Sequence, residues 1–91
     1  MINAIILINA ERTKINSVAE QLVSLQGITE VYSVSGRFDL VAMIRLPHND
    51  DLNELMTEKV IKVGGIIKTE SMVAFKTLTR QDMASMIEFG D

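Results

Sequence analysis

The chain has 91 residues, of which 47% are hydrophobic and 23% are charged. This is the size of one domain and the composition of a chain that folds around a core, which excludes a second core and intrinsic disorder. Nine basic against 12 acidic residues give a net charge of -3, which argues against direct nucleic-acid binding. The sequence contains no cysteine, so disulfides, a thiolate nucleophile and zinc sites of the Cys type are excluded.

The chain opens with residues that predict a strand and then a helix. Residues 2–8 are mostly β-branched or aliphatic and too few for a buried helix, so they predict the first strand. This run is also too short to span a membrane and has no basic stretch before it, so we expect no signal peptide and no membrane segment but a soluble, cytoplasmic protein. Apolar residues then recur at helical spacing over residues 14–25 and predict the first helix, with Thr13 placed to cap its start and Gly27 its end.

A hairpin, a second helix and a fourth strand follow. Two β-rich runs, residues 28–35 and 39–46, flank a turn that contains glycine and predict the second and third strands. Carboxylate and amide side chains that suit a helix start then precede apolar residues at three-and-four spacing, which predict a second helix over residues 51–63. The run 66–77 is rich in β-branched residues and predicts the fourth strand, and the tail, residues 80–91, carries apolar residues on one side of a short helix.

The order of these elements, βαββαβ, predicts a single α+β domain over residues 1–91 with the ferredoxin-like fold, a two-layer sandwich with both helices on one face of a four-stranded antiparallel sheet. The other face is also apolar, because Ile5 and Leu7 of the first strand and Val41 and Met43 of the third point to it. We expect the same double-sided pattern in the fourth strand, where Ile67, Val73 and Phe75 alternate with Ile66, Met72 and Ala74. A second subunit packed face to face would cover this surface and give a homodimer; the alternative is that the C-terminal segment folds back over its own sheet.

Residues with catalytic or metal-binding chemistry are few. His48 is the sole histidine and follows Pro47 in a loop, so we expect no metal, no cofactor and no catalytic residue. The pair Gly64-Gly65 follows a helix and precedes a strand, the reverse of the order in phosphate-binding loops. The enzymatic alternative is a small dimeric α/β-barrel of the monooxygenase type, whose cavity would use Tyr32 or His48 on an aromatic substrate.

The most informative local pattern is the turn Gly36-Arg37-Phe38-Asp39. Glycine supplies a positive φ in such a turn, and an aspartate can accept hydrogen bonds from nearby backbone N–H groups. The same turn offers amide donors, a carboxylate and a guanidinium, which together can bind the carboxylate and the ammonium group of a zwitterion. The pattern is therefore compatible with a purely structural turn and with an amino-acid site.

Several short motifs give the chain a resemblance to a known family. Gly27-Ile28, the run 34–41 with its Gly-x-x-Asp hairpin, and Val63-Gly64-Gly65-Ile66 followed by Thr69 and Ser71 resemble the effector-binding domain of the Lrp/AsnC, or feast/famine, regulators. The resemblance covers residues 2–78. Full-length members of that family carry an N-terminal helix-turn-helix domain, whereas this chain begins directly with the first strand and resembles the effector-binding module alone.

The resemblance implies a function and a site. Two sheets would pack face to face in a homodimer, dimers would assemble into a ring such as an octamer or a decamer, and an amino-acid effector would bind between dimers. The resemblance implies a non-enzymatic module that regulates transcription through ligand-linked assembly, with full-length Lrp/AsnC regulators as further partners. Carried over to this sequence, the ligand-binding residues would be Gly36, Arg37, Phe38, Asp39, Thr69 and Ser71.

Overall fold

A computed structural model describes residues 1–82 of the chain. The residues form four strands and two helical segments in the predicted order. Their bounds are β1, Ile2–Ala10; a 3-10 turn, Arg12–Lys14; α1, Ile15–Val23; β2, Ile28–Ser33; β3, Leu40–Leu46; α2, Asn49–Glu54, extended by Leu55–Lys59 and Val60–Lys62; and β4, Ile66–Val73.

The strands pair into one antiparallel sheet in the order β2-β3-β1-β4, so β2 and β4 are its edges. The two helical segments contribute Val18 and Leu22, and Leu52 and Leu55, to one core with the sheet. Both segments therefore cover the same face. The predicted ferredoxin-like α+β sandwich is confirmed.

Alternation along the two central strands builds this core. Ala4, Ile6, Ile8 and Ala10 of β1 are buried, and the residues between them are only half-buried. The same alternation buries Leu40, Ala42, Ile44 and Leu46 of β3. Since successive side chains of a strand point to opposite faces, these buried sets face the helices. Burying one such large side chain completely stabilises the fold by about 1.5–3 kcal/mol.

The opposite side of the sheet, here called the open face, is not covered by a helix of the described chain. Ile5 and Leu7 of β1 pair with Met43 and Val41 of β3 on this face, as the sequence predicts. The expectation for the fourth strand is wrong. Its residues 68–71 are polar, with Lys68 and Glu70 on the open face beside Met72 and with Thr69 and Ser71 on the helix side. The apolar surface is therefore centred on β1 and β3.

Helix α1 is shorter than predicted. It covers Ile15–Val23 rather than residues 14–25, because residues 12–14 first form a 3-10 turn. No side chain caps its start, and Thr13 lies inside that turn. Gly27 has the positive φ, 101°, that suits a glycine, but it lies in the turn that enters β2, where its carbonyl accepts a hydrogen bond from Arg45 N at 2.7 Å. Both capping positions are therefore wrong, whereas the left-handed conformation of Gly27 is confirmed.

The second helical segment changes its winding along its length. Regular α-helix over Asn49–Glu54 gives way to a wider π-helical turn over Leu55–Lys59 and a tighter 3-10 turn over Val60–Lys62. Thr57 Oγ1 donates to Asn53 O at 2.7 Å, a bond from side chain to backbone that competes with the regular helical pattern. The segment runs from Asn49 to Lys62, so it starts two residues earlier and ends one residue earlier than the predicted range 51–63.

Strand β4 ends at Val73, four residues before the predicted end of the fourth strand. Residues 74–79, here called the C-terminal arm, then leave the sheet. Their base is fastened to β1, because Ala74 N donates to Asn3 O at 2.9 Å and Asn3 Nδ2 donates to Thr77 Oγ1 at 3.2 Å. Residues 80–82, the start of the predicted tail helix over residues 80–91, are helical, and the rest of that prediction lies outside the described residues.

Candidate functional site

The turn between β2 and β3 is closed by a backbone hydrogen bond from Val34 N to Asp39 O at 3.0 Å. Gly36 lies at its exposed tip with a φ of 118°. Although open space surrounds it, a side chain there would be strained, because L residues rarely adopt that backbone conformation. The positive φ predicted from the sequence is confirmed. Arg37 is exposed, whereas Phe38 and Asp39 are half-buried.

Hydrogen bonds fasten this turn to the end of β1. Asp39 N donates to Ile8 O at 2.9 Å, and Ala10 N donates to Asp39 Oδ2 at 2.9 Å. The side chain of Asn9 donates to the carbonyl of Arg37, also at 2.9 Å. One carboxylate oxygen of Asp39 thus holds the turn, and the other accepts no hydrogen bond from residues 1–82.

Thr69 and Ser71 lie on a different part of the sheet. They pair with Ile8 and Ile6 of β1 and point to the helix side, where Thr69 lines a cleft of about 310 Å³ beside Val60. Leu40, the residue after Asp39, pairs with the same Ile8 from the opposite side. Two strand spacings, about 10 Å, therefore separate this end of the turn from Thr69. A single chain brings Gly36, Arg37, Phe38 and Asp39 together but does not bring Thr69 and Ser71 to them.

A further polar residue, which the sequence did not single out, lies beside the turn. Asn9 holds the turn through the carbonyl of Arg37, and on its other side it pairs with Lys68 of β4. The available signal was the alternation of β1, which places Asn9 on the same face as Ile5 and Leu7. A polar residue at the end of an otherwise apolar face indicates a contact at that end of the strand.

A groove of about 470 Å³, here called the open-face groove, crosses the open face at the other end of the sheet. Its lining is mostly apolar and includes Ile5, Met43 and Met72, together with the polar Asn3 and Thr29. Glu30 and Arg45 line one side, and the C-terminal arm forms the other. The apolar face follows from the sequence, whereas the groove does not, because its second wall exists only where the arm leaves the sheet.

The two residues of the enzymatic alternative do not converge. Tyr32 pairs with Val41 in the sheet, and its hydroxyl donates to Glu30 Oε2 at 2.8 Å. That hydrogen bond, together with the negative charge of Glu30, raises the pKa of Tyr32 above its usual value of 10.0. His48 lies before the start of α2, where its backbone N–H donates to Asp51 Oδ2 at 3.1 Å. Val41, the partner of Tyr32, lies about 17 Å along β3 from Leu46, and His48 follows beyond that far end of the strand.

Residues 1–82 offer neither a metal site nor a membrane-spanning helix. No three His, Asp or Glu side chains of these residues lie close enough together to hold a metal ion. In the same part of the chain, none of the helices has the length and apolar character needed to cross a membrane.

Comparison with known proteins gives the family. The family model of the Lrp/AsnC ligand binding domain matches residues 3–84. The HTH-type transcriptional regulator FL11 of Pyrococcus furiosus is 35% identical over 73 residues, which are 80% of this chain and 48% of that protein. The chain spans about half the length of the curated relatives it matches.

Solved structures agree with this result. The protein TTHA0845 from Thermus thermophilus is 34% identical and has a TM-score of 0.82, with 88% of this chain and 100% of that chain covered. The feast or famine regulatory protein from M. tuberculosis, solved in complex with L-methionine, shares the fold at 18% identity and a TM-score of 0.72, with 87% of this chain and 53% of that chain covered. The chain therefore belongs to the family of Lrp/AsnC ligand-binding domains.

Proposed function

We propose that this domain binds an amino-acid effector and regulates through ligand-linked assembly, without catalysis. The observation that carries the proposal is the fastened turn from Gly36 to Asp39, which presents polar groups at a fixed position in a chain of a ligand-binding family. The relative from M. tuberculosis holds L-methionine, so a zwitterionic amino acid is the first ligand class to test.

Each residue of the turn has a role that follows from its chemistry. The exposed guanidinium of Arg37 and the turn amides bind the carboxylate of the ligand, since guanidinium and carboxylate form strong paired hydrogen bonds. The second carboxylate oxygen of Asp39 accepts from the ammonium group of the ligand. Phe38, which is half-buried beside them, contacts the apolar part of the ligand.

The site is completed by a second copy of the chain. Within one chain, Thr69 and Ser71 lie two strands from the turn and on the helix side. A neighbouring copy places their hydroxyl groups against a ligand that the turn of the first copy holds. A ligand that contacts two copies binds the assembled state more tightly, and it shifts assembly by that difference in affinity.

The assembly begins with a homodimer in which two open faces pack together and cover Ile5, Leu7, Val41 and Met43. Dimers then join into a ring, an octamer or a decamer. The contacts between dimers are made by the Gly36 turn of one copy and the edge strand β4 of the next. Full-length Lrp/AsnC regulators are further partners, since the curated relatives include HTH-type transcriptional regulators. The net charge of -3 supports a module that does not itself contact DNA. Its similarity to transcriptional regulators supports a place in the cytoplasm.

The competing function is a cavity enzyme of the monooxygenase type. It needs a catalytic side chain inside the cavity between two sheets. The separation of Tyr32 and His48 and the engagement of Tyr32 with Glu30 support the non-catalytic role.

The test is calorimetric titration with a panel of amino acids, beginning with L-methionine, combined with light scattering to measure the mass at each ligand concentration. Thr69→Val removes a hydroxyl at nearly constant volume and should weaken binding about 2- to 10-fold, the effect of one neutral hydrogen bond. Thr13→Val removes an exposed hydroxyl elsewhere and should leave the affinity unchanged.

Two results contradict the proposal. Turnover of an aromatic substrate without amino-acid binding favours the enzyme. Equal affinity of the wild type and Thr69→Val for an effector, with binding by a monomer, shows that the site does not span two copies.

A further inference from the structure

The C-terminal arm exposes large apolar side chains. Phe75 is 106% exposed and Leu78 is 58% exposed. The arm is held at its base by Asn3, through Ala74 N and the Thr77 side chain, so these side chains do not reach the core of their own chain. An aromatic side chain can bury about 150–250 Å², and Phe75 buries almost none of it here.

The open-face groove has an apolar lining that suits the exposed apolar side chains of the arm. Its lining includes the apolar Ile5, Met43 and Met72, and its volume of about 470 Å³ lies within the range of pockets that hold aromatic molecules. Methionine adapts its shape readily and makes favourable contacts with aromatic rings. The groove adjoins the base of the arm, because Ala74 and Thr77 form part of its wall.

The arm enlarges the apolar surface that the sheet offers to a partner. A stable interface buries about 800 Å² of accessible surface on each partner, and one buried aromatic side chain contributes about 150–250 Å². Burial of Phe75 would therefore supply a substantial share of the area that a stable dimer needs.

The reach of the arm is sufficient to meet a partner. Two sheets packed face to face lie about 10 Å apart. Because Ala74 and Thr77 are held to Asn3 of their own chain, the residues between them stay beside their own sheet, and the side chain of Phe75 makes the crossing. One extended residue adds about 3.3 Å beyond Ala74, and the phenylalanine ring fills the remaining gap when the two-fold axis passes near the grooves. We propose that the arm of one copy lies against the second copy and inserts Phe75 into its open-face groove; this inference rests on the face-to-face dimer of the proposed function.

The absence of native cysteine allows a direct test by site-directed crosslinking. One chain carries Phe75→Cys and a second, with an affinity tag of different mass, carries Met43→Cys, and the two are mixed and treated with a short bismaleimide. A ring seated on Met43 keeps the two Cβ atoms farther apart than the distance of about 3.5–4.5 Å that a disulfide needs, whereas the bismaleimide spans such a side-chain contact, so we expect a crosslinked heterodimer. The matched pair, Lys62→Cys with Met43→Cys, places the first cysteine on the helix side and should give no crosslink.

Sedimentation measures how much the contact contributes to the dimer. Phe75→Ser should weaken dimerisation about 10- to 100-fold, the range for loss of a buried aromatic anchor. Val23→Ser, a half-exposed apolar residue on α1, should leave dimerisation unchanged.

The possible outcomes distinguish failure of the arm contact from failure of face-to-face dimerisation. Met43→Arg places a charge on the open face, so dissociation of that variant supports face-to-face packing independently of the arm. If Met43→Arg dissociates while the mixed cysteine chains stay uncrosslinked and Phe75→Ser dimerises normally, the arm proposal is wrong and the proposed function stands. A further variant carries both cysteines in one chain; if it crosslinks internally while the mixed chains do not crosslink, the arm folds onto its own sheet, which also overturns the inference. A wild-type monomer overturns the inference together with the assembly on which it rests.

Discussion

Replacing Asp39 by alanine removes the hydrogen bond from Ala10 N to Asp39 Oδ2, which measures 2.9 Å and joins the hairpin turn to the end of β1. Ala10 is only 5% exposed, so water does not readily replace the lost acceptor. The substitution therefore leaves a buried N–H without a partner. Its cost tests whether the carboxylate holds the turn or serves only a ligand.

The expected magnitude follows from this geometry. A hydrogen bond to a charged group contributes about 1.5–3 kcal/mol, and a buried donor without a partner costs about 1–3 kcal/mol. We expect Asp39→Ala to lower the free energy of unfolding by about 2 kcal/mol, and Asp39→Asn, which keeps an oxygen acceptor but loses the charge, by about 1 kcal/mol. For a chain of 91 residues, each kcal/mol shifts the melting temperature by about 4–8 °C.

The assay is urea denaturation followed by circular dichroism. All variants are compared at one protein concentration, because assembly makes the measured stability depend on concentration. Glu54→Gln changes an exposed carboxylate on α2 and serves as the control, with an expected effect within about 0.5 kcal/mol. Identical urea midpoints for the wild type and Asp39→Ala would refute the reasoning, because the contact would then contribute nothing to stability.

Gly65→Ala should lower the free energy of unfolding by about 1–3 kcal/mol, because Gly65 has a φ of 104° and an added Cβ would lie 2.9 Å from Val18 Cγ2. Gly64 has open space around it, so Gly64→Ala should leave the stability nearly unchanged. Equal losses of stability in the two variants would contradict this prediction. Absorbance titration of Tyr32, the sole tyrosine, should give a pKa above 10.0 that falls in Glu30→Gln; an unchanged titration curve would rule out Glu30 as the cause. Because the pKa of Tyr32 is higher in the folded state than in the unfolded state, the stabilisation from this pair is complete below about pH 10 and is lost as the pH rises through the folded pKa.

The element order could be predicted because it depends on local patterns. The alternation of β1 and β3 and the helical spacing around Val18 and Leu22 repeat within a few residues, and each pattern matches one backbone geometry. The boundaries were less accurate where a contact outside the element decides them. Strand β4 ends at Val73, although the residues that follow it also favour extended structure.

In the candidate site, too, the local features were predictable and the features that depend on distant contacts were not. The turn at Gly36 was predictable, since a short-range combination of glycine and aspartate indicates its backbone conformation. The position of Thr69 and Ser71 relative to that turn was not, because it depends on β4 pairing with the side of β1 opposite β3 and on the register that sets the face on which they lie. The register shifts between Asn9 and Ala10, and Ile67 is the additional residue on β4. A shift of one residue in a strand exchanges its two faces.

The sequence by itself therefore determined the four strands and two helical segments, the hairpin with its glycine turn, and the two apolar faces of β1 and β3, because backbone preference and hydrophobic period act over a few residues. Only the tertiary structure decided two hydrogen bonds between distant residues. One joins Asp39 to Ala10, which are 29 positions apart, and the other joins Asn3 to Thr77, which are 74 positions apart. Such contacts form only after the strand order β2-β3-β1-β4 has brought distant segments together. That order reflects the burial of the whole core rather than the preference of any one segment.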